Sequence, residues 1–595
     1  MCGIIGYVGL GAAKPRILAG LGRLEHRGYD SAGIAVSHRG EVRVARAVGN
    51  LAALRGHAGS IPEEATTGIG HTRWATHGRP TVENAHPLRG CDGRLAVAMN
   101  GIVENFHELR LELGARGHRF RSQTDAEVIA HLVEEHDHGD LVEAVAAACG
   151  ALSGHFAFVV CHRDHPHEVA GARRACPLVA GLGGEGTLLS SMSAALTGMA
   201  ESVVPLEDGE IVRATPAGIE VYDEHGGRVV RAARPIEAGE EVGHDGHGSF
   251  MRKEIFEQPQ AVRRTLDGAA ELPVLRPSRL AGIERIIIVG CGTAYHAGLC
   301  GAAMIEEWAG LPCHVQIASE WRYRRRFLPP GTVVVAVSQS GETADTLAAA
   351  QAARADGVPV VALTNVAESQ LAREADELLL TRAGWEAGVA ATKTFTAQVA
   401  LLAALALRLA AARGAEVGAA EAALGGVDGQ IARFLSSDHP TGEIAARLCE
   451  REFFLYLGRQ TGLPVALEGA LKLKELADVP ADAYAAGEMK HGPIALLSDE
   501  TPVVVVATDS NVYDKVISNI AEVRARGASV VAIASDRNEE IQHHADDVIY
   551  VPRVDPLLAP VVAVLPLQLF AHDVAARRGL DVDRPRNLAK TVTVE

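Results

Sequence analysis

A chain of 595 residues, 48% hydrophobic and 22% charged, is too long for one hydrophobic core and reads as several globular domains. A net charge of −17 without any Lys/Arg block argues against nucleic-acid binding, and nine scattered cysteines with no C-x-x-C pair argue against a disulfide framework or a zinc site. The longest apolar runs, 399–407 and 561–570, fall short of the roughly 20 residues a spanning helix needs, and no basic signal segment follows Met1, so the expectation is a cytoplasmic protein without membrane contact, metal or cofactor.

Residues 2–233 read as short apolar strands with Gly-rich turns and two helices, 105–116 and 125–136. Asp125 stands where it can cap the second helix, which carries Val128, Ile129, Leu132 and Val133 on one face. The pattern is that of an α+β domain. Residues 234–250 are polar and Gly-rich, with Glu237, Glu240, Glu241, His244, Asp245 and His247, and read as a linker.

From 251 the period changes to α/β. A helical stretch, 252–270, precedes a buried strand, 285–289, that ends in Gly290-Cys-Gly-Thr293. A second strand, 332–337, ends in Ser338-Gln-Ser-Gly-Glu-Thr343, and a third, 358–363, follows at βα spacing. The same order recurs at 453–457, 502–507 and 528–534, displaced by about 170 residues, so two doubly wound α/β units stand in tandem. They are placed at 251–425 and 426–580, with 581–595 as a separate tail. Thr508-Asp-Ser-Asn511 replaces the polar turn in the second unit and sets an acid where an anion would sit, so the first unit is the expected anion binder.

Cys2 is the first residue with chemical promise. Removal of Met1 would leave a thiol beside a free α-amine that titrates at about 7.7–8.0, a nucleophile with its own base. His71-Thr-Arg-Trp-Ala-Thr-His-Gly78 gathers an Arg, a Trp and hydroxyls in one stretch. Asn100-Gly101 pairs a side-chain amide with an unobstructed N–H, which suits an oxyanion hole. An Arg for a carboxylate and Asp125, in Ser122-Gln-Thr-Asp-Ala-Glu127, for an ammonium together describe an amino-acid site.

Cys2-Gly-Ile-Ile-Gly6, Leu24-Glu-His-Arg-Gly-Tyr-Asp-Ser-Ala-Gly33, the Thr72–Gly78 run, Asn100-Gly101 and Thr124-Asp125 resemble the N-terminal-nucleophile glutaminases. That resemblance implies Cys2 as nucleophile, Asn100 and Gly101 as oxyanion hole, Arg73 on the glutamine carboxylate and Asp125 on its α-amine. Trp74 matches the residue that gates ammonia, and Arg27, Thr76 and His77 complete the glutamine site. Several ammonia acceptors share this domain, so the front half alone does not choose one.

The back half does. The Ser338–Thr343 turn brings three hydroxyls to the start of a helix, whose free N–H groups and dipole favour an anion. Without a P-loop Lys, a sugar monophosphate fits better than a nucleoside triphosphate. Glu468, Lys472 and Glu475 fall on one helical stripe, which is either a site or an exposed ion-pair ladder. His491 follows in a Gly/Pro setting, and Lys590 lies in a patterned C-terminal segment.

In order and over nearly the whole chain, these segments resemble the SIS half of the glucosamine-6-phosphate synthases. The resemblance implies glutamine and fructose 6-phosphate as substrates and a homodimer as the assembly. Gly292, Thr293, Ser338, Gln339, Ser340, Thr343, Val389 and Ala589 would hold the sugar phosphate. Glu475 would move the C1/C2 proton and His491 assist ring opening. Lys590 would form a Schiff base at the carbonyl, with Glu468 and Lys472 in support.

Some positions depart from the family pattern. Ala294 and Ala391 stand where serines are usual, Met99 where His precedes Asn-Gly, and Gln123 where Glu precedes Thr-Asp. Arg174-Ala-Cys-Pro177 replaces Arg-Asn-Ser-Pro. Lost hydroxyls at a sugar can change the accepted ketose, so transfer to another ketose phosphate stays open. A sugar-phosphate sensor on the same fold is the reading from a different class, and it has no use for Cys2, Glu475 and Lys590.

Overall fold

The computed structural model describes residues 2–236, 243–270, 280 and 282–593. Two compact units emerge, the first holding residues up to 241 together with 589–595, the second 242–588.

The first unit is built on two antiparallel sheets of eight and seven strands. Period-2 side-chain alternation explains their layering. In the strand Gly3–Gly9, Ile4 and Val8 join the apolar layer between the sheets, while Ile5 and Tyr7 face the helix Ala13–Leu24. The second sheet buries its outer face under Phe106–Ala115, Glu127–His136 and Leu141–Ala151. The result is a helix–sheet–sheet–helix sandwich, which is the expected α+β class with its layers resolved.

Asp125 does not cap its helix as the sequence predicts. Ala126 is the N-cap, and the Asp125 carboxylate instead accepts the Val103 N–H at 2.8 Å. The proposed linker is also shorter at its front, because Arg234–Pro235 pairs as an edge strand with Ser202–Pro205. Glu237, Glu240 and Glu241 lie outside the described residues. Its far end is fixed where Ser249 caps Phe250–Phe256, and a second helix, Gln258–Ala269, follows with Pro259 in its first turn. The single helix expected over 252–270 is thus two.

The second unit contains two five-stranded sheets, parallel throughout and of identical strand order. In the first, Arg285–Gly290 lies between Cys313–Ile317 and Thr332–Val337, followed outward by Val360–Thr364 and Glu377–Leu380. Phe454–Gly458, Ala481–Ala485, Pro502–Ala507, Ser529–Ser535 and Asp547–Val551 repeat the arrangement. The tandem repeat read from the sequence is therefore a repeat of structure.

Alternate residues of each central strand serve two cores. Ile286, Ile288, Val335 and Val337 of the first repeat share one large core with Phe454, Tyr456, Val504 and Val506 of the second. Helices Thr293–Ala309, Lys393–Ala412, Gly462–Ala477 and Ala559–Arg577 fill that shared layer. Opposite faces are covered separately. Lys393–Ala412 and Ala559–Arg577 are long and apolar enough to cross a membrane, but 78% and 89% of their apolar windows are buried in this core. Ala559–Arg577 continues through Pro566, which the sequence marks as an interruption.

Candidate functional site

In the first unit the strand Gly3–Gly9 pairs with Thr67–Arg73, setting Gly3 opposite Thr72 and bringing Cys2 beside Trp74. The Trp74 N–H donates to Cys2 Sγ at 3.3 Å, and the thiol lies 3.4 Å from the Trp74 carbonyl, which it can donate to. Burial pushes the Cys2 thiol above its ordinary pKa, against the opposing influence of the Trp74 N–H and Arg73. A thiol held protonated in this way needs a base before it can attack.

Asn100 and Gly101 sit in the buried strand Leu95–Val103. Asn100 Nδ2 donates to the Cys2 carbonyl at 3.0 Å, so its amide N–H side faces Cys2. Gly101 has φ +106, and a Cβ there would meet the His155 carbonyl at 2.1 Å, which restricts the position to glycine.

His71 fixes that amide, and sequence reasoning gave it no role. Its Nε2 lies 2.9 Å from Met99 O and 3.1 Å from Asn100 Oδ1, two acceptors, so this nitrogen carries the proton. Burial, with the nearby Arg73 charge, drives its pKa down to about 3, leaving a neutral ring at neutral pH. Its ring stacks on His86 at 4.4 Å, and His86 accepts the Met99 N–H. The strand alternation that puts His71 and Arg73 on one face was the available signal.

Arg73 is buried and donates through Nη2 to the carbonyls of His77 and Gly78, while Nη1 has no hydrogen-bond partner among the described residues. Asp125 is buried as well; burial raises its pKa, opposed by the Val103 N–H and by His77, whose Nδ1 lies 3.8 Å away. A guanidinium edge and a carboxylate thus flank the 74–78 turn. Arg27 instead holds the Ser191 carbonyl at 2.9 Å, and Ser191 Oγ accepts the Ile4 N–H, so Arg27 braces the strand behind Cys2. Thr76 is exposed.

In the second unit, Gly292-Thr293 and the Ser338–Thr343 turn follow two neighbouring parallel strands. The chain leaves these strands toward opposite sides of the sheet, so the turns flank a crevice beyond the strand ends where ligands of doubly wound folds bind. Ser338 is buried; its Oγ lies 2.8 Å from Thr343 Oγ1 and accepts the Gly341 N–H at 3.1 Å. Ser340 Oγ accepts the Glu342 N–H at 3.2 Å. Gly341 has φ +65, and a Cβ would strike Ser369 Oγ at 2.0 Å. Gln339 is tied by its carbonyl to Asn365 N–H, and the Val389 N–H donates to the Asp583 carbonyl.

Glu468, Lys472 and Glu475 form no exposed ladder. Glu468 and Lys472 have side chains 0% and 1% exposed, and Glu475 is half-buried. Lys472 Nζ donates to Glu475 Oε2 at 2.6 Å and to Thr293 Oγ1 at 3.1 Å, while Thr293 also donates to Glu468 Oε1 at 3.0 Å. Burial opposes ionisation of both Glu468 and Lys472, but their mutual attraction outweighs it: Glu468 is held below and Lys472 above its ordinary pKa. Lys472 is locked as an ammonium and cannot serve as a free amine.

His296, also missing from the sequence reading, completes the group, with Nδ1 2.7 Å from Glu468 Oε2. It stands one helical turn after Thr293, which was its only signal. His491 is exposed on the turn Glu488–His491, and no hydrogen bond or ion pair joins it to this cluster among the described residues.

From Ala589 the chain belongs with the first unit. There the Cys176 thiol donates to the Thr593 carbonyl at 3.8 Å, and Lys590 is among the charges, after burial and Arg27, that drive His26 down to about 3. Residues 581–588 stay with the second unit, so the tail is shorter than expected.

Comparisons with known proteins identify two kinds of domain along the chain. The family described as "Glutamine amidotransferase domain" matches residues 71–198, and "SIS domain" matches 279–408 and 449–578. The chain is 46% identical over 607 residues to the glutamine–fructose-6-phosphate aminotransferase (isomerizing) of Thermus thermophilus, covering 100% of each chain. It is 46% identical over 615 residues to the Streptomyces coelicolor enzyme of the same name, again with full coverage of both. Among solved structures, the C-terminal domain of glucosamine-fructose-6-phosphate aminotransferase from Francisella tularensis is similar with TM-score 0.55 and 35% identity, covering 57% of this chain and 100% of that one.

Proposed function

The chain belongs to the glutamine–fructose-6-phosphate aminotransferase (isomerizing) family, and on that premise we propose how its two sites divide the reaction. It hydrolyses glutamine and transfers the ammonia to fructose 6-phosphate, giving glucosamine 6-phosphate.

In the first step Cys2 Sγ attacks the glutamine side-chain carbonyl, with Arg73 on the substrate carboxylate and Asp125 on its ammonium. Asn100 Nδ2, aimed by His71, and the Gly101 N–H receive the oxyanion. The raised thiol pKa calls for a base, and the α-amine exposed by Met1 removal is the group adjacent in the chain. Collapse of the tetrahedral intermediate expels ammonia, and water then releases glutamate from the thioester.

In the second step the Ser338–Thr343 turn holds the phosphate and Thr293 orients the sugar between that turn and the buried cluster. Ammonia condenses at C2 of the ketose with loss of water, and a proton then moves from C1 to C2. Glu475 is the carboxylate for that transfer, because it is the partly exposed member of the cluster and the Lys472 ammonium holds it in place at 2.6 Å. Lys590 is assigned to the carbonyl on the resemblance alone.

The observation that carries this reading is the junction of Thr293, on the phosphate-side repeat, with Glu468 and Lys472, on the carboxylate-bearing helix. An acceptor screen tests it: glutamine is supplied with a series of ketose phosphates while glutamate and amino sugar are followed by mass. Fructose 6-phosphate should give the highest kcat/KM. A different preferred ketose would trace to Ala294 and Ala391, and no amino sugar with any of them would refute the assignment.

A further inference from the structure

One cluster in the first unit is not used by this chemistry. Cys91 lies in the turn between Leu88–Arg89 and Leu95–Val103, His118 in the segment after Phe106–Ala115, and His131 and Glu134 one turn apart on Glu127–His136. One donor atom from each lies within 4.8 Å of the other three. Cys91 Sγ stands 3.7 Å from His118 Nδ1 and 3.6 Å from His131 Nδ1. Glu134 Oε2 stands 3.2 Å from His118 Nδ1 and 3.3 Å from His131 Nδ1.

Those four distances have the lengths of tetrahedron edges. With metal–sulfur bonds of about 2.3 Å and metal–nitrogen or –oxygen bonds of about 2.0–2.1 Å, tetrahedral zinc requires edges of about 3.5–3.6 Å for S···N and about 3.3 Å for N···O. Both imidazoles turn the same nitrogen toward one sulfur and one carboxylate oxygen, so four donors face a common centre. The surroundings suit a bound thiolate. The Arg119 N–H donates to Cys91 Sγ at 3.2 Å, and the Cys91 N–H donates to Glu134 Oε2 at 3.0 Å. On the far side of the His131 ring, Nε2 lies 3.8 Å from Glu127 Oε1, a carboxylate behind a ligating imidazole.

We propose that Cys91, His118, His131 and Glu134 bind one divalent transition-metal ion, zinc by the character of the donors, in a closed four-coordinate site. Binding replaces the Cys91 thiol proton, which passes to solvent. Four protein donors leave no position for a reacting water, so the ion is structural. It pins the turn at 90–94 and the segment at 118–121 to one helix. From that helix Glu127 accepts the N–H groups of Arg121 and Ser122 and the Ser122 hydroxyl, and Asp125 stands three residues beyond Ser122. The sequence argued against zinc because no C-x-x-C pair is present. This site uses a single Cys, with ligands spread over 44 positions from 91 to 134.

The test uses the full-length protein. Produced with zinc present and then desalted, it should retain about one zinc per chain, and cobalt(II) added to metal-stripped protein should give a thiolate-to-cobalt charge-transfer band with intense tetrahedral d–d bands. Cys91→Ser should abolish the charge-transfer band, and both Cys91→Ser and His118→Gln, at partly exposed positions, should lose the zinc. Glu127→Gln should weaken zinc binding by about 10- to 100-fold. Wild-type protein that retains no zinc and gives no cobalt band overturns the proposal, as does a Cys91→Ser protein that keeps both.

Discussion

His296 Nδ1 and Glu468 Oε2 lie 2.7 Å apart, joining the first helix of one repeat to the carboxylate-bearing helix of the other. Because Glu468 is buried, removing its charge takes the carboxylate from His296 and leaves Lys472 with Glu475 as its one carboxylate partner among the described residues. Breaking a buried pair of this kind costs about 3–5 kcal/mol. Glu468→Gln should therefore lower the thermal midpoint of the second unit and reduce fructose 6-phosphate isomerisation, while glutamine hydrolysis persists. Equal stability in wild type and variant would remove the pair from the account.

The same carboxylate sets a pH dependence. Its folded pKa is depressed below the ordinary 4.5, so its contribution is present above that value and lost as pH falls through the folded pKa. The difference in midpoint between wild type and Glu468→Gln should be full at neutral pH and shrink on acidification. Denaturation series at several pH values check the direction.

His71→Leu should leave Asn100 free to turn its oxygen toward Cys2. Loss of one oxyanion donor typically costs about 10²–10³ in kcat. Steady-state glutaminase assays should show that loss in kcat with little change in KM for glutamine. Because His71 is already neutral, its removal should take no inflection out of the profile between about pH 5 and 8.

Much of this is legible in the sequence. Strands 332–337 and 502–507 are placed to the residue, because continuous β-branched runs buried on both faces have no other reading. Cys313–Ile317, Glu377–Leu380, Ala481–Ala485 and Asp547–Val551 were not found. They are strands of only four or five residues with mixed burial; Glu377–Leu380 and Asp547–Val551 carry no alternation, and that of Cys313–Ile317 and Ala481–Ala485 spans just five residues. The stripe Glu468–Lys472–Glu475 was visible as a stripe, but its burial is a tertiary fact. His71 and His296 escaped because a lone histidine acquires meaning only from what it faces.

Ser340→Ala and Thr343→Ala should raise KM for the sugar phosphate, each by about 1.5–3 kcal/mol, or roughly 10- to 150-fold. Ser338→Ala should also destabilise the turn, since its hydroxyl accepts the Gly341 N–H. Equal losses with a non-phosphorylated acceptor would show that the turn does not hold phosphate.

Ala175 adopts φ +61 where the family usually carries Asn. An L-residue with a Cβ pays about 1–2 kcal/mol there, which glycine avoids. Ala175→Gly should raise the thermal midpoint of the first unit without altering glutaminase kinetics. A fall in that midpoint would mean the Ala methyl contributes more by packing than it costs in strain.

Lys590→Ala and Cys2→Ala should fail in opposite ways. Cys2→Ala should lose glutamate release yet keep fructose 6-phosphate isomerisation, whereas Lys590→Ala should keep glutamate release and lose amino sugar by orders of magnitude. Both products measured side by side in each variant decide the matter. An unchanged ratio in Lys590→Ala would move the carbonyl chemistry to another residue.

The two five-stranded repeats share a strand order, yet the Ser338–Thr343 turn stands on one and the Glu468–Glu475 helix on the other. On the proposed division of roles neither copy would be an enzyme by itself, since one would bind without reacting and the other would lack its anchor. After such a duplication each copy is free to lose what its twin retains, but from then on the pair is inherited as one object. A substitution at Thr293 is judged by its effect on Glu468 and Lys472, 175 and 179 positions away along the chain. Compensating changes in this protein's descendants should therefore appear across the repeats more often than within either one.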